Sequence, residues 1–235
     1  MKKIVALLLV LVMVFALCAC GQSKPKALTH DQFLAAEEGA EVIVEAYVQG
    51  HQSWWDNKIT VYAEDKDGGY FFYDMTCSEE DAAKLVPGTK IRVTGIKGVW
   101  SGEIEVMDGQ FEFVKADPWV APAQDLTKVF GTDDLAKYMN QFFSVKDAVV
   151  ADKGEGAAFF FNWDNSGEDG NCDLYFDVQI EGAPYTFVVR RYLTAPGSEV
   201  YEAVKNLKVG DTVDIEGFLY WYEGPQPHIT SIVVK

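Results

Sequence analysis

An internal repeat constrains the fold of this chain more than any other feature of its sequence. Residues 85–95 (LVPGTKIRVTG) align without gaps with residues 207–217 (LKVGDTVDIEG), and the leading leucine, both glycines and the apolar alternation coincide. A weaker match relates residues 59–72 to residues 174–187. A repeat of about 100 residues indicates a duplicated domain and not a solenoid of short units.

The first copy predicts a fixed order of short elements. A capping box at Thr29 begins a short helix, and the apolar alternation that starts at Val42 predicts a strand. Residues 59–75 predict a hairpin around a turn rich in Asp and Gly. A helix capped by Ser78 follows, and two further strands over residues 90–114 complete the unit.

The second copy repeats this order. Thr132 precedes its opening helix, and residues 148–163 match residues 42–55, so Phe161 and Trp163 are predicted to end its first strand. In both copies a glycine, Gly95 or Gly217, falls in mid-strand, where a tightly coiled barrel needs a bend or a bulge.

Three strands, a helix and two more strands is an order that resembles the OB-fold, a five-stranded Greek-key barrel. We therefore predict a mainly β chain of two tandem OB-fold-like five-stranded barrels, each with short helices, after a cleaved lipoprotein signal peptide. A single larger antiparallel sandwich is the alternative. The predicted divisions are a signal peptide (1–19), a lipidated tether (20–26), domain 1 (27–117), a linker containing Pro118 and Pro122 (118–126) and domain 2 (127–235).

The first 20 residues have the form of an export signal. Lys2 and Lys3 precede an uncharged apolar run over residues 4–17, and Leu17-Cys18-Ala19-Cys20 resembles the lipobox of bacterial lipoproteins. The apolar run is shorter than the ~20 residues of a spanning helix, which favours a cleaved signal over a permanent anchor. A lipid such as palmitate on Cys20 would hold the protein on the outer side of the cell membrane. The whole chain resembles the tandem OB-like lipoproteins of bacteria, a family without a settled activity.

Charge and cysteine content set expectations about partners. The formal net charge is −16, and removal of Lys2 and Lys3 takes it to −18. Because nucleic-acid binding relies on Lys and Arg, we expect no nucleic-acid partner. The expected partners are the membrane, through Cys20, and a cell-wall glycan, a peptide or an envelope protein. Export permits a disulfide between Cys77 and Cys172, but the sequence does not determine whether they pair.

Aromatic residues cluster at matching loop ends of both copies, after strand one and between strands four and five. In OB-folds these loops flank the ligand face, and aromatic rings there stack on sugars, bases or apolar side chains. The same rings could instead plug the barrel ends or pack between the domains. The predicted ligand-binding residues are Trp54, Trp55, Trp100, Trp163, Tyr220, Trp221 and Tyr222.

No pattern in the sequence identifies a catalytic residue, a metal site or a cofactor. The three histidines are scattered, and no nucleophile or phosphate-loop motif occurs. The loop 162–173 is rich in oxygen ligands, but Phe176 stands where a calcium loop needs glutamate. Arg190 and Arg191 form a basic doublet, for which an ion pair with the many acids is favoured over a ligand clamp. We therefore expect a non-catalytic binding module; the alternative is an envelope enzyme or metal-dependent accessory protein that uses acids in an interdomain cleft.

Overall fold

The computed structural model describes residues 24–235 and contains two closed five-stranded barrels in tandem. In barrel 1 the strands follow the order β1-β2-β3-β5-β4, with only the β3–β5 pair parallel. Its elements are α1 (His30–Ala35), β1 (Glu41–His51), β2 (Lys58–Glu64), β3 (Gly69–Thr76), α2 (Glu79–Ala82), β4 (Lys90–Trp100) and β5 (Glu103–Phe113). The predicted signal peptide and Cys20 lie outside the described residues.

Barrel 2 repeats this topology and adds two short strands. Its strands follow the order β7-β11-β12-β10-β9, and a β9–β7 pairing closes the ring. Strand β6 extends the sheet beside β7, and β8 lies beside β9. The elements are β6 (Gln124–Asp125), a 3-10 helix (Asp133–Tyr138), β7 (Phe142–Val150), β8 (Phe159–Phe161), β9 (Leu174–Ile180), β10 (Ala183–Val189), α3 (Glu199–Lys205), β11 (Thr212–Phe218) and β12 (His228–Val234). The predicted tandem OB-fold-like barrels are therefore confirmed over the sandwich.

The repeated sequence motif explains why both barrels close. Alternation along β1 turns Val42, Val44, Ala46 and Val48 into the core, where each is at most 1% exposed. The strand register shifts next to the predicted mid-strand glycine in each copy. A Cβ atom on Gly217 would lie 2.3 Å from the carbonyl oxygen of His228, so the bulge needs glycine.

Two expectations for the second copy need correction. A helix does follow Thr132, but it is a 3-10 helix, and the Thr132 hydroxyl donates to the Val129 carbonyl at 2.7 Å and does not cap it. Phe161 and Trp163 do not end strand one, which ends at Val150. The amide of Gly210 donates to Val150 O as that of Gly88 donates to Val48 O. Residues 151–173 are therefore an insertion, and the aromatic match with residues 42–55 was out of register.

The segment that follows β5 packs on barrel 1. The ring of Trp119 contacts that of Tyr47 edge-on, at a centroid distance of 5.4 Å, and its amide donates to Gly88 O. The amide of Ala121 donates to Gln49 Oε1 at 2.8 Å. The first half of the predicted linker therefore forms part of the surface of barrel 1. The domain boundaries themselves stay predictions.

The first described residues lie at one end of barrel 1. Lys24 Nζ is 2.6 Å from Glu112 Oε2, and the Arg92 guanidinium donates to the Pro25 carbonyl. Glu112 is next to the last residue of β5, whereas Glu103 begins that strand at its other end. Within residues 24–235, no helix has the length and hydropathy needed to cross a membrane.

The two barrels dock through a buried aromatic contact that we call the junction. Tyr62 of barrel 1 stacks on Phe218 of barrel 2 with a centroid distance of 4.4 Å and an interplanar angle of 13°. Phe71 completes the buried cluster, and three partly buried side chains surround it: Phe142, Leu193 and Tyr220. Tyr62 and Phe71 lie on the outer face of β2 and β3. Barrel 2 therefore covers the surface of barrel 1 that binds ligands in other OB-folds.

Candidate functional site

The corresponding surface of barrel 2 lies on β9 and β10, and its outward side chains Tyr175, Asp177 and Thr186 are half-buried. Along β9, Leu174, Phe176 and Val178 point into the core, so Tyr175 and Asp177 point outward. Neighbouring residues on β8, on β10 and in the loop after β7 extend this surface. We call it the open face and define it as Phe160, Tyr175, Asp177, Thr186 and Lys153.

The polar side chains of the open face form hydrogen bonds with one another. Asp177 Oδ1 accepts from the Thr186 hydroxyl at 2.6 Å and from Lys153 Nζ at 2.8 Å. At the edge of the face, Arg190 Nη1 donates to Asp173 Oδ2 at 2.7 Å, which is the ion pair that the sequence favoured. The face therefore presents fixed donors and acceptors beside the rings of Phe160 and Tyr175.

Four of the seven predicted ligand-binding residues are exposed. The exposed fraction is 80% for Trp55, 61% for Trp100, 70% for Trp163 and 43% for Tyr222. A large exposed ring that stacks on a ligand removes much apolar surface from water, and such rings are common in binding surfaces. These four residues are free to contact a ligand.

The other three predicted residues pack within the protein. Trp54 lies against the core of barrel 1, and its Nε1 donates to Cys77 O at 2.8 Å. Tyr220 stacks on His228 at a centroid distance of 4.2 Å. Trp221 packs on the core of barrel 2. These rings stabilise the barrels and the junction, the alternative role that the sequence left open.

Loops from both barrels meet beside the open face. The amide of Glu223 donates to Ser101 O at 2.7 Å, which joins the loops of Tyr222 and Trp100. The amide of Ser53 donates to Tyr192 O at 2.6 Å, and so joins Tyr192 to the loop of Trp55. In the loop that carries Trp163, Asn171 accepts from Arg191, whose guanidinium lies over the Tyr192 ring. We call this set the aromatic rim: Trp55, Trp100, Trp163, Tyr192 and Tyr222.

Sequence reasoning missed Phe160, Tyr175 and Tyr192. Tyr175 was detectable, because alternation in the predicted strand that begins at Leu174 turns it away from the core. Phe160 lies in a run of three phenylalanines, where alternation gives no signal. Tyr192 lies in a loop that only the tertiary structure brings to the site.

The described residues contain no obvious metal site or reactive thiol. Among residues 24–235, no three His, Cys, Asp or Glu side chains are grouped closely enough to hold a metal ion. Cys77 and Cys172 are unpaired and buried in different barrels. Burial raises the pKa of the Cys77 thiol to about 11, and it also raises the pKa of the Cys172 thiol.

Sequence comparison finds no protein family and no curated protein that matches this chain. Comparison of structures finds weak matches. A murine DNA-binding protein bound with double-stranded DNA matches over 82% of this chain and 94% of its own, with a TM-score of 0.38 and 10% identity. The p202 HIN1 domain, in complex with a 12-mer double-stranded DNA, matches over 85% and 96%, with a TM-score of 0.35 and 9% identity.

A replication protein A heterotrimer bound to single-stranded DNA also matches, over 83% of this chain and 49% of that one, with a TM-score of 0.34 and 10% identity. Several of these structures contain nucleic acid. We withdraw our prediction of no nucleic-acid partner, because it rested on net charge alone. Net charge describes a whole chain, whereas a nucleic acid contacts a local surface of Lys, Arg and stacking rings. A value of −16 is therefore not a reason for exclusion.

Proposed function

We propose that this protein is a lipid-anchored, extracytoplasmic and non-catalytic binding protein. Its ligand-binding surface consists of the open face of barrel 2 and the aromatic rim to which both barrels contribute. The observation that carries the proposal is the exposure of Trp55, Trp100 and Trp163 on loops of the two barrels, together with the half-buried OB-type strand face of Tyr175 and Asp177. Large rings held in this way stabilise a bound chain by stacking.

The form of the surface favours an extended ligand over a small molecule. The small cavity between α1 and the 3-10 helix has a volume of about 70 Å³ and lies away from the aromatic rim. Pockets for drug-sized ligands are usually several hundred Å³. The rim is spread over loops of two barrels, which suits a polymer with rings or apolar side chains along its length. Two acids between the barrels, Glu64 and Glu103, are buried and bound to main-chain amides, so they do not line an open cleft of the kind that the acid-using enzyme needs.

Titration of tryptophan fluorescence tests the binding surface. We expect a saturable change in the chain from residue 21 onward with one of three probes: cell-wall glycan fragments, peptides or single-stranded DNA. Trp100→Ala and Trp163→Ala should each weaken that binding roughly tenfold or more, because aromatic contacts dominate binding energies.

Trp119→Phe is the matched control, since Trp119 packs on Tyr47 away from the rim and should leave the affinity unchanged. No saturable change with any probe, or equal affinity in the two alanine variants, would contradict the proposal. The identity of the probe that binds would assign the ligand class.

Cell fractionation tests the anchor separately. Cys20→Ala should move the protein from the membrane fraction to the soluble extracytoplasmic fraction and abolish incorporation of labelled palmitate, because the lipid is the proposed attachment. The matched control is Cys77→Ala, whose thiol is buried in barrel 1. Membrane association that survives Cys20→Ala would rule out anchoring through this residue.

A further inference from the structure

Two buried glutamates of barrel 1 bind the backbone of barrel 2 at the junction. Glu103 has no exposed surface, and its Oε2 accepts from the amide of Trp221 at 2.8 Å. Glu64 is 5% exposed, and its Oε1 accepts from the amide of Phe142. Both carboxyl groups therefore hold the barrels together through direct hydrogen bonds.

The surroundings of the two glutamates contain acids and neutral groups. Within residues 24–235, no Lys or Arg side chain forms a hydrogen bond or an ion pair with either carboxyl. The titratable groups that face Glu103 are Glu105, Tyr62 and Tyr220, and Asp65 faces Glu64. Beyond Tyr62 lie His228, whose pKa burial lowers, and Arg190, which Asp173 neutralises.

Glu103 is buried with one carboxyl oxygen that lacks a donor. In the described part of the chain, Glu103 Oε1 has no hydrogen-bond partner, and the nearby Asn140 Nδ2 donates to Ile104 O at 3.2 Å. A charged carboxylate with an unsatisfied buried oxygen is costly, whereas the protonated group has no charge to remove from water. The geometry therefore favours the carboxylic acid.

Burial has the same effect on both carboxyl groups. It raises the pKa of Glu103 to about 8, against the opposing effects of Asn140 and the Trp221 amide. It also raises the pKa of Glu64 to about 8, against the hydrogen bond from Phe142. Removal of a carboxylate from water disfavours its charged form.

We propose that the junction is a proton-controlled latch, closed while Glu64 and Glu103 are carboxylic acids and loosened when they ionise. Opening uncovers the outer face of β2 and β3 with Tyr62 and Phe71, the counterpart in barrel 1 of the open face. The protein would then present a second OB-type strand surface. The latch does not depend on the proposed binding function.

The pH range of the latch follows from the raised pKa values. A carboxyl group that titrates near pH 4.5 when the junction is open and near pH 8 when it is closed favours closing most strongly below pH 4.5. That stabilisation decreases as the pH rises from 4.5 to 8 and then changes no further. Alkaline solution should therefore loosen the junction.

Hydrogen exchange of the chain from residue 21 onward tests the latch without any ligand. Between pH 6 and pH 9, protection of the Trp221 and Phe142 amides, corrected for intrinsic exchange rates, should fall roughly tenfold or more. Protection of the Val93 amide in the core of barrel 1 should change much less. In the variant E64Q/E103Q, which keeps the shape and the acceptor oxygens, the two junction amides should lose this pH dependence.

Glu112→Gln removes an exposed acid far from the junction and should keep the wild-type response. A pH dependence in E64Q/E103Q equal to that of the wild type would overturn the proposal, as would a fall in protection no larger than at Val93. If the double variant does not fold, the single variants E64Q and E103Q are measured instead. Each should then lose part of the response, and a full response in both would overturn the latch.

Discussion

Replacement of Gly217 with alanine is expected to lower the free energy of unfolding by about 3 kcal/mol, because the added methyl group overpacks the site. The added Cβ would meet main-chain atoms on β12, 2.3 Å from His228 O and 2.7 Å from Ile229 Cα. Backbone cannot rotate away as a side chain can, so the bulge between β11 and β12 must open. Urea denaturation followed by circular dichroism measures the loss, and the melting temperature should fall by roughly 6 to 12 °C.

Glu216→Ala is the control, because it changes an exposed residue on the same strand next to the same bulge and should shift stability by less than about 0.5 kcal/mol. Gly95→Ala tests the equivalent site in barrel 1, where a Cβ would lie 2.6 Å from Val106 Cγ1 and 2.7 Å from Met107 O. If Gly217→Ala were as stable as Glu216→Ala, the bulge would not need glycine.

Replacement of Tyr62 with alanine should have the largest effect of any change at the junction, a loss of about 4 kcal/mol. The ring is fully buried, stacks on Phe218, and carries a hydroxyl 2.7 Å from His228 Nδ1. Burial lowers the pKa of His228 and so favours the neutral imidazole, which shares a hydrogen bond with the hydroxyl, and Gln52 Nε2 also donates to that hydroxyl. Truncation removes the stack and leaves both polar partners unsatisfied.

Tyr62→Phe separates these contributions, because it keeps the ring and should cost about 1 kcal/mol. The number of unfolding transitions should also change. With the junction weakened, barrel 2 and barrel 1 should unfold in separate transitions, detected by fluorescence and circular dichroism at different urea concentrations. Coincident transitions in Tyr62→Ala, with an unchanged midpoint, would mean that the junction contributes little to stability.

The repeated motif made most of the fold predictable. Apolar alternation, the helix caps at Thr29 and Ser78 and the paired glycines each depend on residues close together in the chain, so they can be interpreted without knowledge of distant contacts. The insertion over residues 151–173 was not predictable, because its three consecutive phenylalanines show no alternation and because Phe161 and Trp163 could be aligned with Trp54 and Trp55.

The junction was hidden from sequence for a different reason. Tyr62 and Phe71 occupy outward positions of their strands, where a ring is compatible with solvent, a ligand or a second domain. From the sequence alone, Glu64 and Glu103 would be placed on the surface, since glutamate is rarely buried without a partner. Only the packing of one barrel on the other distinguishes Trp55, which is exposed, from Tyr220, which is covered.

The contact between Lys24 and Glu112 has a consequence for where the protein can act. It places Lys24 at one end of β5, and the β4–β5 turn beside Trp100 lies at the other end, about 35 Å away along an eleven-residue strand. Under the proposed acylation of Cys20, a barrel 1 that stands upright on the membrane would hold Trp100 about 35 Å from the attachment point. That distance is about four Debye lengths at physiological salt, so the proposed anchor would leave Trp100 beyond the reach of the bilayer charge.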